Sequence, residues 1–269
     1  MAVDPDVVAH YEFGLEETRL FLNGVPRLEY QRTLELLGRL LPPAPARVLD
    51  VGGGTGVYAI PLCEQGYTVH LVDPVTLHVD RAASLARQHH LGGLTASLGD
   101  ARDLTSVGTG YDAVLLLGPL YHLIDYSDRC RAFSEAARVA RPGGVIVAVG
   151  ISRYASLVDG LKNRLLSDPT FRAIVERDLR DGQHRNPDLP ARPEFFTTAY
   201  FHLPHELQDE ARAGGLQNVQ LFSIEGPAWM FEGSTTIEEQ MFAARATESE
   251  PALMAATSHI MAAGSTPAS

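Results

Sequence analysis

The chain has 269 residues, 45% hydrophobic and 20% charged, which is enough apolar material for one or two domains with a buried core. Its 22 basic and 33 acidic residues give a formal charge of −11, which repels phosphate backbones and argues against nucleic acid as a partner. No run approaches the roughly 18 apolar residues of a membrane span, and Cys63 and Cys130 are too few for a disulfide framework or a four-cysteine zinc site.

Residues 1–10, MAVDPDVVAH, have two acids and no basic start, so no secretory signal is expected and the chain reads as a soluble cytoplasmic protein. Val7, Val8, Tyr11 and Leu15 fall on one side of a helix over 5–22, and Tyr30, Leu34, Leu37 and Leu41 recur at helical spacing over 26–41, before Pro42-Pro43. Residues 1–45 therefore read as an N-terminal helical cover and 46–269 as the main domain. VLDV (48–51) is a short apolar run ending in glycines and predicts a buried strand. A helix at 55–66, the strand TVHLVD (68–73), a helix at 75–90, the weaker strand LTASLG (94–99) and the strong YDAVLLLG (111–118) follow. Ser127 can cap a helix carrying Phe133, Ala136, Ala137 and Ala140, which stops at RPGG (141–144), and GVIVAVG (144–150) is a fifth strand. Strands alternating with helices imply a parallel sheet covered on both faces.

The alternation breaks at 152–202, which reads as two helices, a polar loop and an extended piece over 194–202. The second helix has Asp168 as N-cap, Pro169 at its first position, Ile174, Val175 and Leu179 inward, and Gly182 past its end. A helix (204–213), a strand (219–226), one or two helices (235–256) and a strand (258–264) complete the chain, the two strands pairing as a hairpin-like edge.

The strongest chemical signal is VLDVGGGTG (48–56): glycines between a strand and a helix let backbone N–H groups approach a ligand closely. A dinucleotide site prefers G-x-G-x-x-G, whereas Gly52, Gly54 and Gly56 give G-x-G-x-G and Val57 stands where the last glycine would be. Asp73 ends the next strand, where a carboxylate accepts ribose hydroxyls or simply caps a helix. Asp100 and Ala101 follow the third strand, where a turn is the plain alternative.

Preceded by Asp50, the glycine run resembles motif I of the class I S-adenosylmethionine-dependent methyltransferases, and YDAVLLLGPLYHL (111–123) with RPGG resembles motifs II and III. The resemblance covers about residues 46–151, and the final strands weakly. It implies a Rossmann-like, doubly wound α/β fold with seven strands, mostly parallel with an antiparallel edge strand, plus the helical cover and a helical lid over about 152–202. It implies S-adenosylmethionine as cofactor, held by Asp50, Gly52, Gly53, Gly54, Gly56, Asp73, Pro74 and Gly118, with Asp100 accepting from the adenine amino group and the Ala101 N–H meeting the ring. Tyr11, Glu16 and Arg19 in the helical cover are expected at the methionine end. Aminopropyltransferases share a triple glycine but place acids at the end of the fourth strand, as magnesium-dependent catechol-type enzymes do; Gly118-Pro119-Leu120-Tyr121 supplies none, and no metal is expected.

The acceptor should sit over the ends of the fourth and fifth strands. His122 is the expected base and Tyr121 a pocket or cation–π residue, each alternatively a packing residue. LGPLY lacks the amide or acid that nucleobase-type amine methylation uses. In the lid, His184 and Arg185 on a polar loop, and Tyr200 and His202 alternating along an extended piece, are expected substrate contacts, with solvated or edge positions as the alternative. Trp229 reads as core or pocket wall, and Cys63 and Cys130 as packing. The resemblance implies methyl transfer to a small-molecule acceptor by a monomer or homodimer, and the Ala/Arg/Gly/Leu-rich usage suggests a bacterium and its specialised metabolism as the setting. A non-methyl reaction such as cyclisation, and a non-catalytic binding subunit, are the alternatives.

Overall fold

The computed structural model describes residues 25–189, 191–231 and 233–268. The helix expected over 5–22, with Tyr11, Glu16 and Arg19, lies outside them. Helix α1 (Val25–Leu40) precedes β1 (Arg47–Val51), α2 (Ala59–Glu64), β2 (Thr68–Asp73), α3 (Thr76–Gln88), β3 (Leu94–Leu98) and β4 (Tyr111–Leu116). Next come α4 (Tyr126–Val139), β5 (Ala140–Ser152), α5 (Ala155–Lys162) and α6 (Pro169–Asp181). The short β6 (Gln183–His184) and β7 (Ala199–His202) follow, then α7 (Pro204–Ala213), β8 (Gln217–Ser223), α8 (Ile237–Thr247) and β9 (His259–Ser265).

β3, β2, β1, β4 and β5 lie side by side and parallel. Such strands are covered on both faces, which is why they read as unbroken apolar runs. In β4, Val114 and Leu116 pack with Phe133, Ala136 and Leu207 on one face, while Ala113 and Leu115 pack with Leu36, Leu37 and Leu62 on the other. β9 runs antiparallel between β5 and β8, pairing Val145–Ile151 with Ser265–His259 on one side and reaching β8 on the other. The antiparallel strand is therefore second from the edge rather than at it. The ribbon β6–β7 adds two strands to the seven expected, hooking onto the end of β5 through Ile151↔Phe201 and Ser152↔His202.

Local chemistry explains most boundaries. Asp168 Oδ1 accepts from the N–H groups of Thr170 and Phe171, Pro169 starts α6, and Gly182 ends it at φ 75°. Ser127 does not cap α4: Asp125 occupies that position without a side-chain bond, and the helix starts at Tyr126. RPGG is an irregularity inside β5 rather than a turn before it, because the pairing with β4 shifts from Tyr111↔Ala140 to Ala113↔Val145. In α1 the buried face is Leu28, Leu36 and Leu37, with Arg32 fully buried among them, while Tyr30 and Leu34 are half-buried. Arg32 donates Nε–H to the Ile224 carbonyl and pairs with Glu248, tying α1 to the far edge of the sheet.

Candidate active site

The glycine loop leaves β1 at the carboxyl edge of the sheet, where open parallel sheets place their ligands. Gly52 and Gly54 have φ of 69° and 56°, a region that disfavours other residues. A Cβ on Gly52 would stand 2.9 Å from Pro119 Cδ, and one on Gly118 would stand 3.0 Å from the Gly52 carbonyl, so the β1 and β4 loops meet backbone to backbone. A Cβ on Gly54 would meet nothing within 4 Å, since Gly54 faces the open cleft.

Among the described residues, four acids line this cleft. Asp50 is buried beneath Gly53, with Oδ2 lacking a hydrogen-bond partner. Burial, and then the neighbouring Asp73 charge, push its carboxyl up to about 7. Asp73 ends β2 with both oxygens engaged: Oδ2 accepts from Gly54 N–H at 2.9 Å, and Oδ1 from Val75 N–H at 2.9 Å and His78 Nδ1 at 3.0 Å. Asp100 is gripped by Arg102, whose backbone N–H and Nε reach Oδ1 at 2.8 and 2.9 Å and whose Nη2 reaches Oδ2 at 2.6 Å. Burial opposes ionisation of Asp100, but the Arg102 bonds outweigh it and hold the carboxyl below its ordinary range. Arg102 also pairs with Asp128 of α4 at 2.8 Å. Glu29 of α1 is the fourth acid on the cleft wall.

At the other end of the cleft, Leu117, Gly118, Pro119, Tyr121 and His122 form the mouth beyond β4. His122 Nδ1 lies 3.4 Å from the Thr198 carbonyl of the ribbon. Its ring meets Tyr121 edge-on at 4.7 Å, with Phe196 at 6.1 Å.

The structure thus brings Asp50, Gly52, Gly53, Gly54, Asp73, Pro74, Asp100, Ala101, Gly118, Tyr121 and His122 to one cleft. Gly56 is not on its wall; it packs under the loop, where an added Cβ would lie 3.6 Å from Ile60. The four lid residues expected to touch substrate are also not on the wall. His184 is buried, with Nδ1 2.9 Å from Asp178 and Nε2 2.7 Å from the Phe195 carbonyl, so both ring nitrogens are spent on the lid itself. Arg185 is exposed and reaches Gln183. Tyr200 lies under the Arg129 guanidinium at 3.6 Å, and His202 is fully buried against Glu210 at 3.1 Å. Burial lowers the readiness of His202 to protonate despite that carboxylate. Trp229 is buried, donating Nε1–H to the Ala256 carbonyl. Glu29, Tyr58, His78 and Arg102 were not foreseen; His78 alone carried a signal, being on the helix that opens after Asp73. Among the described residues, Glu29, Glu225 and His259 have ligand atoms within 4.8 Å of one another, but His259 Nδ1 is already 2.6 Å from Glu225 Oε1.

The open glycine backbone, the orphaned Asp50 oxygen and successive acids at the ends of β2 and β3 fit a nucleoside carrying positive charge. The comparisons agree. Residues 48–144 match the family described as a methyltransferase domain. An uncharacterized methyltransferase of Mycobacterium tuberculosis is 41% identical over 170 residues, 62% of this chain and 60% of that protein. A ubiquinone biosynthesis O-methyltransferase of Agrobacterium fabrum is 29% identical over 174 residues, 62% of this chain and 65% of its own. The chain thus spans less than two thirds of the length of these relatives. A solved Thermotoga maritima structure, described as an S-adenosylmethionine-dependent methyltransferase and possible histamine N-methyltransferase, superposes with a TM-score of 0.59 at 19% identity, covering 96% of this chain and 98% of that one. Residues 48–144 thus match a methyltransferase domain, and the chain has the fold of S-adenosylmethionine-dependent methyltransferases.

Proposed function

We propose that the chain transfers the methyl group of S-adenosylmethionine to an oxygen of a small-molecule acceptor. One observation carries the reading: a single cleft joins the glycine loop and the acids Asp73 and Asp100 to a mouth that holds His122. Gly54, Asp73 and Asp100 would hold the nucleoside, and the acids Glu29 and Asp73 on the cleft wall favour a cationic ligand over a neutral one. The cofactor supplies a methyl already activated on a sulfonium, so the chain's work is positioning and exclusion of water.

A hydroxyl acceptor must lose its proton. With Nδ1 donating to the Thr198 carbonyl, the lone pair of neutral His122 is on Nε2, where it serves as the base. Tyr121 and Phe196 flank that ring, and Tyr121 lines the cleft beside it. The oxygen assignment draws on the names of the ubiquinone-pathway relatives, and the small-molecule assignment on the chain's charge of −11, which disfavours nucleic acid. Bacterial specialised metabolism remains the setting suggested by composition.

Calorimetric titration with S-adenosylmethionine and S-adenosylhomocysteine tests the reading. Wild type is to bind both, and Asp73→Ala is to weaken both by at least about tenfold, the size of one charge-assisted hydrogen bond. Absence of binding to wild type overturns the reading. Binding with no labelled methyl appearing in any metabolite of a cell extract would instead favour a non-methyl reaction or a binding subunit.

A further inference from the structure

The Asp73 carboxylate has about four in-plane lone-pair positions. The protein occupies three of them, through Gly54 N–H, Val75 N–H and His78 Nδ1. The two backbone donors come with the fold: one belongs to the glycine loop and the other to the residue ahead of α3. The third depends on the identity of residue 78, in the first turn of α3. Its backbone N–H closes onto the Val75 carbonyl at 3.1 Å, which turns its side chain back to the end of β2. The two side chains are 7% and 6% exposed, and both line the cleft. Without the ring, the Asp73 carboxylate would keep one backbone donor on each oxygen, from Gly54 and Val75, and lose the third donor that restrains its soft terminal torsion.

Resting on the nucleoside reading of this cleft, we propose that His78 is a positioning residue that locks the Asp73 carboxylate at the cleft wall and thereby sharpens its preference for a hydroxyl over a hydrogen at the ribose carbon it meets. Locking leaves one open lone-pair position, on Oδ2 beside Gly54. An acceptor fixed by three donors discriminates between a hydroxyl and a hydrogen at one ribose carbon more sharply than one restrained by the two backbone donors alone. His78 therefore acts on specificity through Asp73, beyond any effect on helix packing.

Calorimetry on the full chain with S-adenosylhomocysteine and its 2′-deoxy analogue distinguishes the two roles. Wild type is to prefer the ribose form by about tenfold, as expected when one hydrogen bond to a charged group is lost. His78→Met and His78→Leu remove the donor at similar bulk and are to bring that ratio to about threefold or less, consistent with an acceptor that is present but unlocked. His78→Asn keeps an N–H donor near the Nδ1 position and is to retain the wild-type preference. A merely structural His78 would lower both affinities together and leave the ratio unchanged in all variants, which overturns the proposal. So does His78→Asn losing the preference as fully as His78→Met. Wild type that binds neither compound overturns the nucleoside reading itself, a different result from binding with an unchanged ratio.

Discussion

Asp50 offers the sharpest physical test, because its carboxyl is buried, has an oxygen without a partner, and faces a second acid. Its acid form is favoured up to about pH 7 in the folded chain, against about 4 for an aspartate in the unfolded chain. Between these values the folded state holds a proton that the unfolded state has released. Stability therefore falls with rising pH across that window: the contribution is fully present below about pH 4 and is lost as pH passes about 7. At about 1.4 kcal/mol per pH unit, the whole window is worth about 4 kcal/mol, and the part from pH 5 upward about 3 kcal/mol. Asp50→Asn removes the titration while keeping the shape.

Urea unfolding of wild type and Asp50→Asn, followed by circular dichroism between about pH 5 and about pH 8, isolates the effect, since every other titrating group is common to both chains. The stability of the variant relative to wild type is to grow by about 3 kcal/mol across that range, whatever its offset at the acid end. Asp73→Asn removes the second cause of the shift and is to move the wild-type transition to lower pH. Parallel stability curves for wild type and Asp50→Asn would refute the reasoning, showing that Asp50 ionises in the folded chain as readily as in water.

Two further outcomes come from other parts of the molecule. Glu210→Gln leaves the Arg129 guanidinium, buried and held at 2.7 Å in the native chain, without its charge partner; a loss of about 3–5 kcal/mol in urea unfolding is expected. His122→Ala is to lower kcat by about a hundredfold to ten-thousandfold while leaving calorimetric affinity for S-adenosylhomocysteine unchanged, because a base acts on the acceptor and not on the nucleoside. An equal loss of cofactor affinity would place His122 in binding instead.

The part of the cleft that was legible in the sequence is the part the backbone dictates. Gly52 and Gly54 need positive φ and close approach, and the acids at 73 and 100 end strands whose apolar runs are unmistakable. What the sequence hid is side-chain pairing. Arg102 closes on Asp100 from two residues away, yet nothing in GDARD distinguishes that grip from a solvated turn. Arg32 is fully buried inside the apolar face of α1 because its partners, Ile224 and Glu248, come from the other end of the chain. The alternation of Tyr200 and His202 correctly put them on one side, their rings 4.8 Å apart. Which side faces the cleft is decided by pairing: Ser152↔His202 sets the ribbon on β5, and Gly150 leaves the room His202 fills, since a Cβ there would stand 2.7 Å from its Nδ1.

The buried histidines of the insertion then acquire a different task from the one their chemistry suggested. Glu210 joins His202 of the ribbon to Arg129 of α4, and Arg129 in turn donates to the Leu123 and Ile124 carbonyls just past the cleft mouth. Arg153 fixes the same ribbon through the Phe201 carbonyl and Glu206. Such buried pairs add little net stability compared with apolar packing, but they tolerate no other arrangement. Their geometric consequence is that residues 196–198 are held against the segment 119–123, which puts the Thr198 carbonyl beside His122 Nδ1 and Phe196 beside its ring. The network therefore orients the proposed base from behind. On this argument His202, although remote from any acceptor, is needed for the tautomer of His122, and His202→Phe is to lower kcat for the methyl acceptor while sparing the affinity for S-adenosylhomocysteine. A loss confined to affinity would separate the network from the mouth.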